Sequence, residues 1–266
     1  MPTIATKSKC PYCSFSRFWK LRRAKFKCKR CRREWSQRTT IAGIRATPAL
    51  WKKSVNLFLT RRAMRTLSEE LGMSHTQAEK MTNLFRILMT EDIPEKFVGI
   101  SEADETFVGG QWKNKRHHIR MLGTKKGHGT SKSPVVGVLN RATGKVRVQV
   151  LQKRSGKTYW AFIVACLAKD AILYTDGYKM NRGVKAFGIA HEYVDHHRGE
   201  FVRGNVHTNG IEGFWGYLKR NLAAIGGIRK DRLYLFIGEF AWRYNHHKLT
   251  HQQRCERLLN LLNDYD

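Results

Sequence analysis

Thr158-Tyr-Trp-Ala-Phe-Ile-Val-Ala-Cys-Leu-Ala168, followed by Lys169-Asp-Ala-Ile-Leu-Tyr-Thr-Asp-Gly177, is the stretch that decides the fold class. Its first half, apolar and free of Gly and Pro, reads as a helix. Ala171 to Thr175 then reads as a short buried strand that ends at Asp176-Gly177. Upstream, Phe97 to Gly110 reads as a strand closing on Gly109-Gly110. Ser133 to Asn140 and Lys145 to Gln152 are two further strands, joined by an Arg-Ala-Thr-Gly144 turn. Downstream, Ile189 to Asp195 suits another strand, and helices are expected from about Asn209 to Ala223 and from about Asp231 to His246. Three strands followed by helix–strand alternation predict a mixed α/β sheet. Pro94 breaks the preceding helical pattern, so this domain is expected to span 93–266.

Carboxylates stand at telling places in that pattern. Asp104 lies in Ser101-Glu-Ala-Asp-Glu-Thr-Phe107, and Asp176 ends the short strand. Either alone suits a turn or an exposed strand position. Glu212 belongs to Asn209-Gly-Ile-Glu-Gly-Phe-Trp-Gly-Tyr-Leu-Lys219-Arg220, where Ile211, Phe214, Trp215, Leu218 and Leu222 share one helix face. Glu212 and Lys219 are seven residues apart, nearly two turns, so they share the margin of that face.

The charge of the chain points to a polyanion. Its 266 residues carry 50 Lys and Arg against 21 Asp and Glu, a net charge of +29. At 41% hydrophobic it has material for a core and is no disordered basic tail. Tyr159 to Ala168, the longest apolar run, is too short to span a bilayer. Lys7 and Lys9 have no apolar segment behind them, so a secretory signal is not expected. Nucleic acid is therefore the expected partner, and no membrane. Between 111 and 132, Lys113, Lys115, Arg116, Arg120, Lys125, Lys126 and Lys132 occur with no acid. His117, His118 and His128 lie among them. This segment suits a solvated loop that tracks a phosphate backbone. The pairs His196-His197 and His246-His247 are expected to be surface or DNA-proximal histidines, since adjacent side chains diverge.

The first forty residues carry +12 and four of the six cysteines, as Cys10-Pro-Tyr-Cys13 and Cys28-Lys-Arg-Cys31. Two such knuckles on a short hairpin close a four-thiolate zinc site, which would staple a segment too small to hold itself. Disulfides or redox pairs are the alternative, but nothing else points to an oxidising compartment. Cys166 and Cys255 suit core or surface thiols. Phe15, Phe18, Trp19, Phe26 and Trp35 are expected to form the small core of this ribbon, residues 1–42. From Pro48 the period is helical: one amphipathic helix, then Arg62 to Leu71, then Gly72-Met73 and a helix capped by Ser74. That is the shape of a helix-turn-helix over 43–92. Its second helix would present His75, Thr76, Gln77 and Lys80 to DNA, although an ordinary helical hairpin shares the pattern.

Four segments together carry a family resemblance. Thirty-five residues separate Asp176 from Glu212, as in the Asp-Asp-35-Glu signature of DDE transposases and retroviral integrases. More closely, Glu102-Ala-Asp-Glu-Thr-Phe-Val-Gly-Gly110, Tyr174-Thr-Asp-Gly-Tyr178, Asn209-Gly-Ile-Glu-Gly-Phe-Trp215 with Lys219-Arg220, and Glu239-Phe-Ala-Trp-Arg-Tyr-Asn245 resemble the ISXO-like insertion-sequence transposases. Beyond Lys219-Arg220 the chain departs from many relatives, reading Ala223-Ala-Ile-Gly-Gly-Ile-Arg229.

The resemblance implies a ribonuclease-H-like sheet flanked by helices, preceded by the zinc ribbon and the helix-turn-helix. It implies Mg²⁺ or Mn²⁺ on Asp104, Asp176 and a third ligand, for which Glu212 is favoured. Asn209 is the next choice, and His207 lies close by. Lys219 matches the trailing basic residue that contacts DNA near the cut, with Arg220 beside it. Glu102 would stand behind the ligands. The implied activity is DNA cleavage and 3′-OH strand transfer, on terminal inverted repeats and target DNA, by a homodimer or larger assembly in the cytoplasm, at the nucleoid. A non-catalytic DNA-binding regulator and a nuclease without strand transfer are the rival readings.

Overall fold

The structure, a computed structural model, describes residues 9–22, 25–36, 39–110, 117–121, 132–152, 155–176, 188–195, 198–200 and 202–265. Contacts divide the chain into two compact units, Met1–Asp92 with Lys248–Asp266, and Ile93–His247.

The first unit begins with an antiparallel sheet of β1 (Phe18–Lys20), β2 (Lys25–Cys28) and β3 (Glu34–Ser36). Phe26 faces Trp35 across the β2–β3 pair. These two rings stack, and Phe18 meets both edge-on. Together with Cys10 and Cys28 they form a core only a few side chains across. Trp19 is not part of it, contrary to expectation. It alternates outward along β1, with the Arg32 guanidinium 4.8 Å and the Lys29 ammonium 5.5 Å from its ring centre.

β4 (Thr39–Ile41) and β5 (Ile44–Ala46) pair as a hairpin. Its turn residues Ala42 and Gly43 have φ of 47° and 73°, the left-handed pair that a tight two-residue hairpin turn demands. The expected boundary after residue 42 therefore falls inside a turn and not in a linker. Then come α1 (Pro48–Leu59), α2 (Met64–Leu71) and α3 (His75–Glu91). Thr47 caps α1, with Pro48 at its first position. Gly72, at φ 61°, ends α2 in the left-handed conformation, and Ser74 with Gln77 makes a capping box on α3. The helix, turn and helix read from the sequence are all present.

The second unit is built on β6 (Ile100–Val108), β7 (Ser133–Asn140), β8 (Val146–Val150), β9 (Ile172–Asp176) and β10 (Ala190–Val194). The short helix α4 (His117–Met121) lies between β6 and β7 in sequence. The sheet order is β10-β9-β6-β7-β8. β6, β7 and β8 are antiparallel neighbours, whereas β9 and β10 run parallel to β6. Helices α5 (Gly156–Cys166), α6 (Asn209–Ile225) and α7 (Leu233–Asn245) complete the unit.

Strand alternation assigns the two faces. Ala103, Val136, Val138 and Leu173 pack with Tyr159, Trp160 and Ile163 of α5. Val108, Val135 and Leu139 pack with α6 and α7 through Ile211, Trp215, Leu218 and Phe240. A mixed sheet covered by helices on both faces is the ribonuclease-H-like architecture expected. Asn245 at the end of α7 fastens the outer strand: its Oδ1 accepts from the Val146 N–H at 2.7 Å, and its Nδ2 donates to the Val146 carbonyl at 2.8 Å.

The last helix, α8 (His251–Asp264), was expected to belong with the larger sheet, within 93–266. It belongs instead to the first unit, where it packs on α1 and α3. The reason is local. α8 buries only Leu258 and Leu262, a narrow stripe that suits the groove between two helices. Arg257 then clamps Asp92 through two bonds of 2.6 Å at the end of α3, and His251 meets Asn56 of α1 at 2.6 Å. Among the described residues no helix is long and apolar enough to cross a membrane.

Candidate active site

Register places the two aspartates. In the parallel β6–β9 pair, Ile100 is level with Ile172, Ser101 with Leu173 and Glu102 with Tyr174. The pairing ends there, with Asp104 two residues further along β6 and Asp176 two residues further along β9. Both then project from the face that carries Glu102, the face covered by α6. Glu105, one residue on, projects from the other.

α6 brings the third carboxylate and is fastened to β6 at two points one turn apart. The Ile211 N–H donates to Glu102 Oε2 at 2.9 Å, and the Trp215 indole N–H donates to Asp104 Oδ2 at 3.0 Å. Glycines permit this close approach. A Cβ on Gly137, the residue paired with Asp104 across β7, would come within 2.7 Å of the Trp215 ring. A Cβ on Gly210 would meet Glu102 Oε2 at 2.9 Å. Glu212 follows in the first turn of α6, where the helix dipole favours a carboxylate. Its Oε1 accepts from the Thr208 hydroxyl at 2.8 Å.

The electrostatics of Asp104 report its neighbours. Burial pushes its carboxyl up, and the negative charges of Asp176 and Glu212 push further. The Glu105 N–H and the Trp215 indole pull the other way, leaving it at about 7 against an ordinary 3.8. The carboxylates therefore crowd each other, and a proton or a cation relieves them. An all-oxygen donor set of this kind suits a hard divalent ion such as Mg²⁺ or Mn²⁺.

Behind this group lies a buried ionic network. Glu102, 1% exposed, binds Arg141 Nε at 2.6 Å. The same guanidinium reaches the Asn205 carbonyl at 2.7 Å, His207 Nδ1 at 2.8 Å and the His207 carbonyl at 2.9 Å. It also lies over the Tyr174 ring at 4.8 Å. Glu102 thus ties the first strand to the loop before α6 and to the helix itself. His207, weighed as a third ligand, is turned toward Arg141. Asn209 opens α6 and is exposed, as are Lys219 and Arg220 further along it.

Trp215, Thr208, Arg141 and Gly137 escaped the sequence reading as site residues. Trp215 had a signal: a Trp buried on the apolar face needs a partner for its N–H. Arg141 had none, because it reads as a hairpin-turn residue and meets Glu102 only through the β6–β7 register.

The cysteines form a second, tighter group. Cys10, Cys13, Cys28 and Cys31 place their sulfurs within 4.8 Å of one another, with Cys10–Cys31 and Cys13–Cys28 at 3.6 Å. Four thiolates 2.3 Å from one tetrahedral ion would lie about 3.8 Å apart, so the set fits zinc. Burial raises the Cys28 thiol, but the N–H groups of Cys31 and Arg30, with help from Cys13, outweigh it and bring it down to about 6. That favours the thiolate a metal needs. Among the described residues this is the set of potential ligands that draws so close together. The carboxylates stand wider apart.

His75, Thr76, Gln77 and Lys80 are exposed at the start of α3, with the Gln77 amide oxygen turned back to Ser74. Arg120 is exposed on α4. Lys113, Lys115, Arg116, Lys125, Lys126, His128, His196 and His197 lie outside the described residues. His246 and His247 turn their Nδ1 atoms onto the carbonyls of Trp242 and Tyr244 at the end of α7.

The chain has relatives among known proteins. A protein of Halobacterium salinarum, described as an uncharacterized protein in transposable element ISH50, is 28% identical over 232 residues. The match covers 82% of this chain and 78% of that protein. Among solved structures, the catalytic core domain of BIV integrase matches at 15% identity and a TM-score of 0.33, covering 54% of this chain and 80% of that one. The HTLV-2 integrase catalytic core, solved with magnesium in a dimeric form, matches at 15% identity and 0.33, covering 57% and 86%. The family model of the ISXO2-like transposase domain matches residues 96–245. That match takes in more than half of the chain, including Asp104, Asp176, Glu212 and Lys219: the chain belongs to the ISXO2-like transposase domain family.

Proposed function

We propose that this protein is a DDE transposase that binds the ends of its element, cleaves DNA there and joins the released 3′-OH to target DNA. The observation that supports the reading is the Asp104 carboxyl, fastened to α6 through Trp215 and raised by the charges of Asp176, on the adjacent parallel strand, and Glu212, in the first turn of α6. Asp104, Asp176 and Glu212 would hold the divalent ions, Mg²⁺ or Mn²⁺. Bound there, a metal pair supplies activation of the attacking oxygen and stabilisation of charge on the leaving oxygen.

The protein's own residues do the positioning. Trp215 fixes the rotamer of Asp104 by holding one of its oxygens, and Thr208 does the same for Glu212. Lys219, two turns beyond Glu212, offers an ammonium to a phosphate near the cut, and Arg220 adds a second cation. In the other unit, zinc on Cys10, Cys13, Cys28 and Cys31 would hold the ribbon together. Lys80, His75, Thr76 and the exposed end of Gln77 would reach the terminal repeats from α3. Arg120 and the basic residues around it, Lys113, Lys115, Arg116, Lys125 and Lys126, would contact the phosphate backbone. Because two ends must be joined, the working form is a dimer or larger assembly on DNA.

The test is a labelled duplex carrying the element end, incubated with the protein and Mg²⁺. Cleavage and joining are expected, and both are expected to vanish in Asp176→Ala. Activity that survives that substitution overturns the site. Cutting without joining by the unaltered protein moves the reading to a nuclease, and binding with neither reaction moves it to a regulator.

A further inference from the structure

A cavity of about 820 Å³ opens in the second unit, away from the carboxylates. It lies between the ends of β6 and α6 that are furthest from Glu102. Val108, Leu222 and Ile228 contribute apolar wall, Lys132, Lys219 and Lys230 contribute cations, and among the described residues no Asp or Glu lines it. Its volume falls within the range of about 300–1,000 Å³ found for small-ligand sites.

Two spacings fix how far it lies from the chemistry. Val108 is four residues beyond Asp104 on one strand, about 13 Å at the rise of extended chain. Lys219 is seven residues beyond Glu212 on one helix, about 10 Å along its axis. Lys219 therefore stands between the carboxylates and the cavity. A strand of DNA whose phosphate lies at the carboxylates would bring a nucleotide near the break to the cavity mouth.

We infer that this cavity receives one unpaired base of the DNA end, extruded from the duplex close to the cut, with its phosphate held by Lys219 and Lys230. Apolar walls suit the faces of a base, which stack without regard to sequence, and the ammonium groups of Lys219 and Lys230 suit its phosphate. A space of this volume holds one base and not a base-paired duplex. An element end distorted at one nucleotide would thereby be told from ordinary duplex, at a position the helix-turn-helix does not read. The inference rests on the transposase reading.

The experiment uses the full-length protein with Ca²⁺ in place of Mg²⁺, so that binding is read without cutting. Element-end duplexes carry 2-aminopurine at each of the positions nearest the cut in turn. A several-fold rise in fluorescence at one position is expected on binding. A duplex with a mismatch at that position is expected to bind on the order of tenfold tighter, since its unstacking is already done. Ala223→Trp and Gly227→Trp fill the cavity from exposed positions, Gly227 having open space at its Cβ. Each is expected to abolish both effects while affinity for the paired duplex stays within about twofold. Specific binding with no fluorescence rise at any position, or a rise unchanged in both Trp variants, overturns the cavity and leaves the transposase reading standing. Failure to bind element ends in preference to other duplex overturns both.

Discussion

The two candidate metal sites of this chain are assembled on opposite principles. The cysteine group draws its four ligands from two three-bond knuckles between residues 10 and 31, and its geometry follows from spacing along the chain. The carboxylates come from β6, β9 and α6, and they are brought into one neighbourhood only by the parallel β6–β9 pairing and the docking of α6 on β6. Their charges are tuned oppositely as well. Backbone N–H groups ease the Cys28 thiol down to about 6, whereas burial and like charge hold Asp104 up at about 7. In the first group Cys28 is eased toward the thiolate before a metal arrives, while Cys31 is raised to about 11. In the second, Asp104 is held toward its protonated form, which a cation would oppose. A site that only holds a fold gains from the first arrangement, and a site that must attract ions together with a phosphate gains from the second.

The largest effect expected from breaking that contrast is at the cysteines. Structural zinc contributes about 10 kcal/mol or more in small domains, far beyond what the Phe18, Phe26 and Trp35 core supplies alone. Chelation or Cys28→Ser is expected to unfold residues 9–36, seen as loss of their dispersed NMR amide signals. The amides of β6 to β10 should persist. Retention of the ribbon signals in metal-free protein would sink the zinc assignment.

Next comes Asp176→Ala. It is expected to lower cleavage by about a thousandfold or more, as removal of a ligand worth several kcal/mol of charge stabilisation should. It should also bring Asp104 down from about 7, since Asp176 is the leading charge acting on it. The sign for stability follows from linkage. The folded protein holds a proton on Asp104 that the unfolded chain has released, so metal-free stability is full below about pH 4 and falls as pH rises through about 7. Mg²⁺ should restore it most at pH 8. Thermal melts at pH 5 and pH 8, with and without Mg²⁺, check this, and the fall should shrink in Asp176→Ala.

Breaking the network behind the site ranks third. Glu102→Gln leaves Arg141 facing a neutral amide in a buried place, at a cost of about 3 kcal/mol by urea unfolding. Because Glu102 also holds the Ile211 N–H, the apparent Mg²⁺ requirement for cleavage should rise, a change that general destabilisation alone would not produce. The smallest effect is expected at Trp215→Phe. It keeps most of the ring packing and removes one N–H bond to a carboxylate, about 1.5–3 kcal/mol. Asp104 should then titrate higher, and an NMR titration that finds it unmoved would remove Trp215 from the site.

Much of this was readable before folding was considered. Period-two strands, the capped helices and the two Cys knuckles depend on neighbours within one or two turns, and each element expected around residues 97–246 is present within a few residues. The spacing of Asp176, Glu212 and Lys219 marked the chemistry through resemblance. Trp19 went astray because a three-residue strand gives no face away until its partner is known. α8 went astray because its narrow stripe says only that it must pack, not on what.

By itself, then, the sequence determined the kinds of element, their order, the thiol cluster and the chain's own positive charge, all of which follow from local geometry and composition. Only the tertiary structure decided that Asp104 and Asp176 lie on adjacent parallel strands and that Trp215 and Gly137 fit one another beside Asp104. It also decided that Arg141 closes a network on Glu102 and that α8 returns to α1 and α3. Those facts depend on strand register and helix docking. Contacts between residues 39 or more apart choose them, through shape and charge that no local pattern encodes.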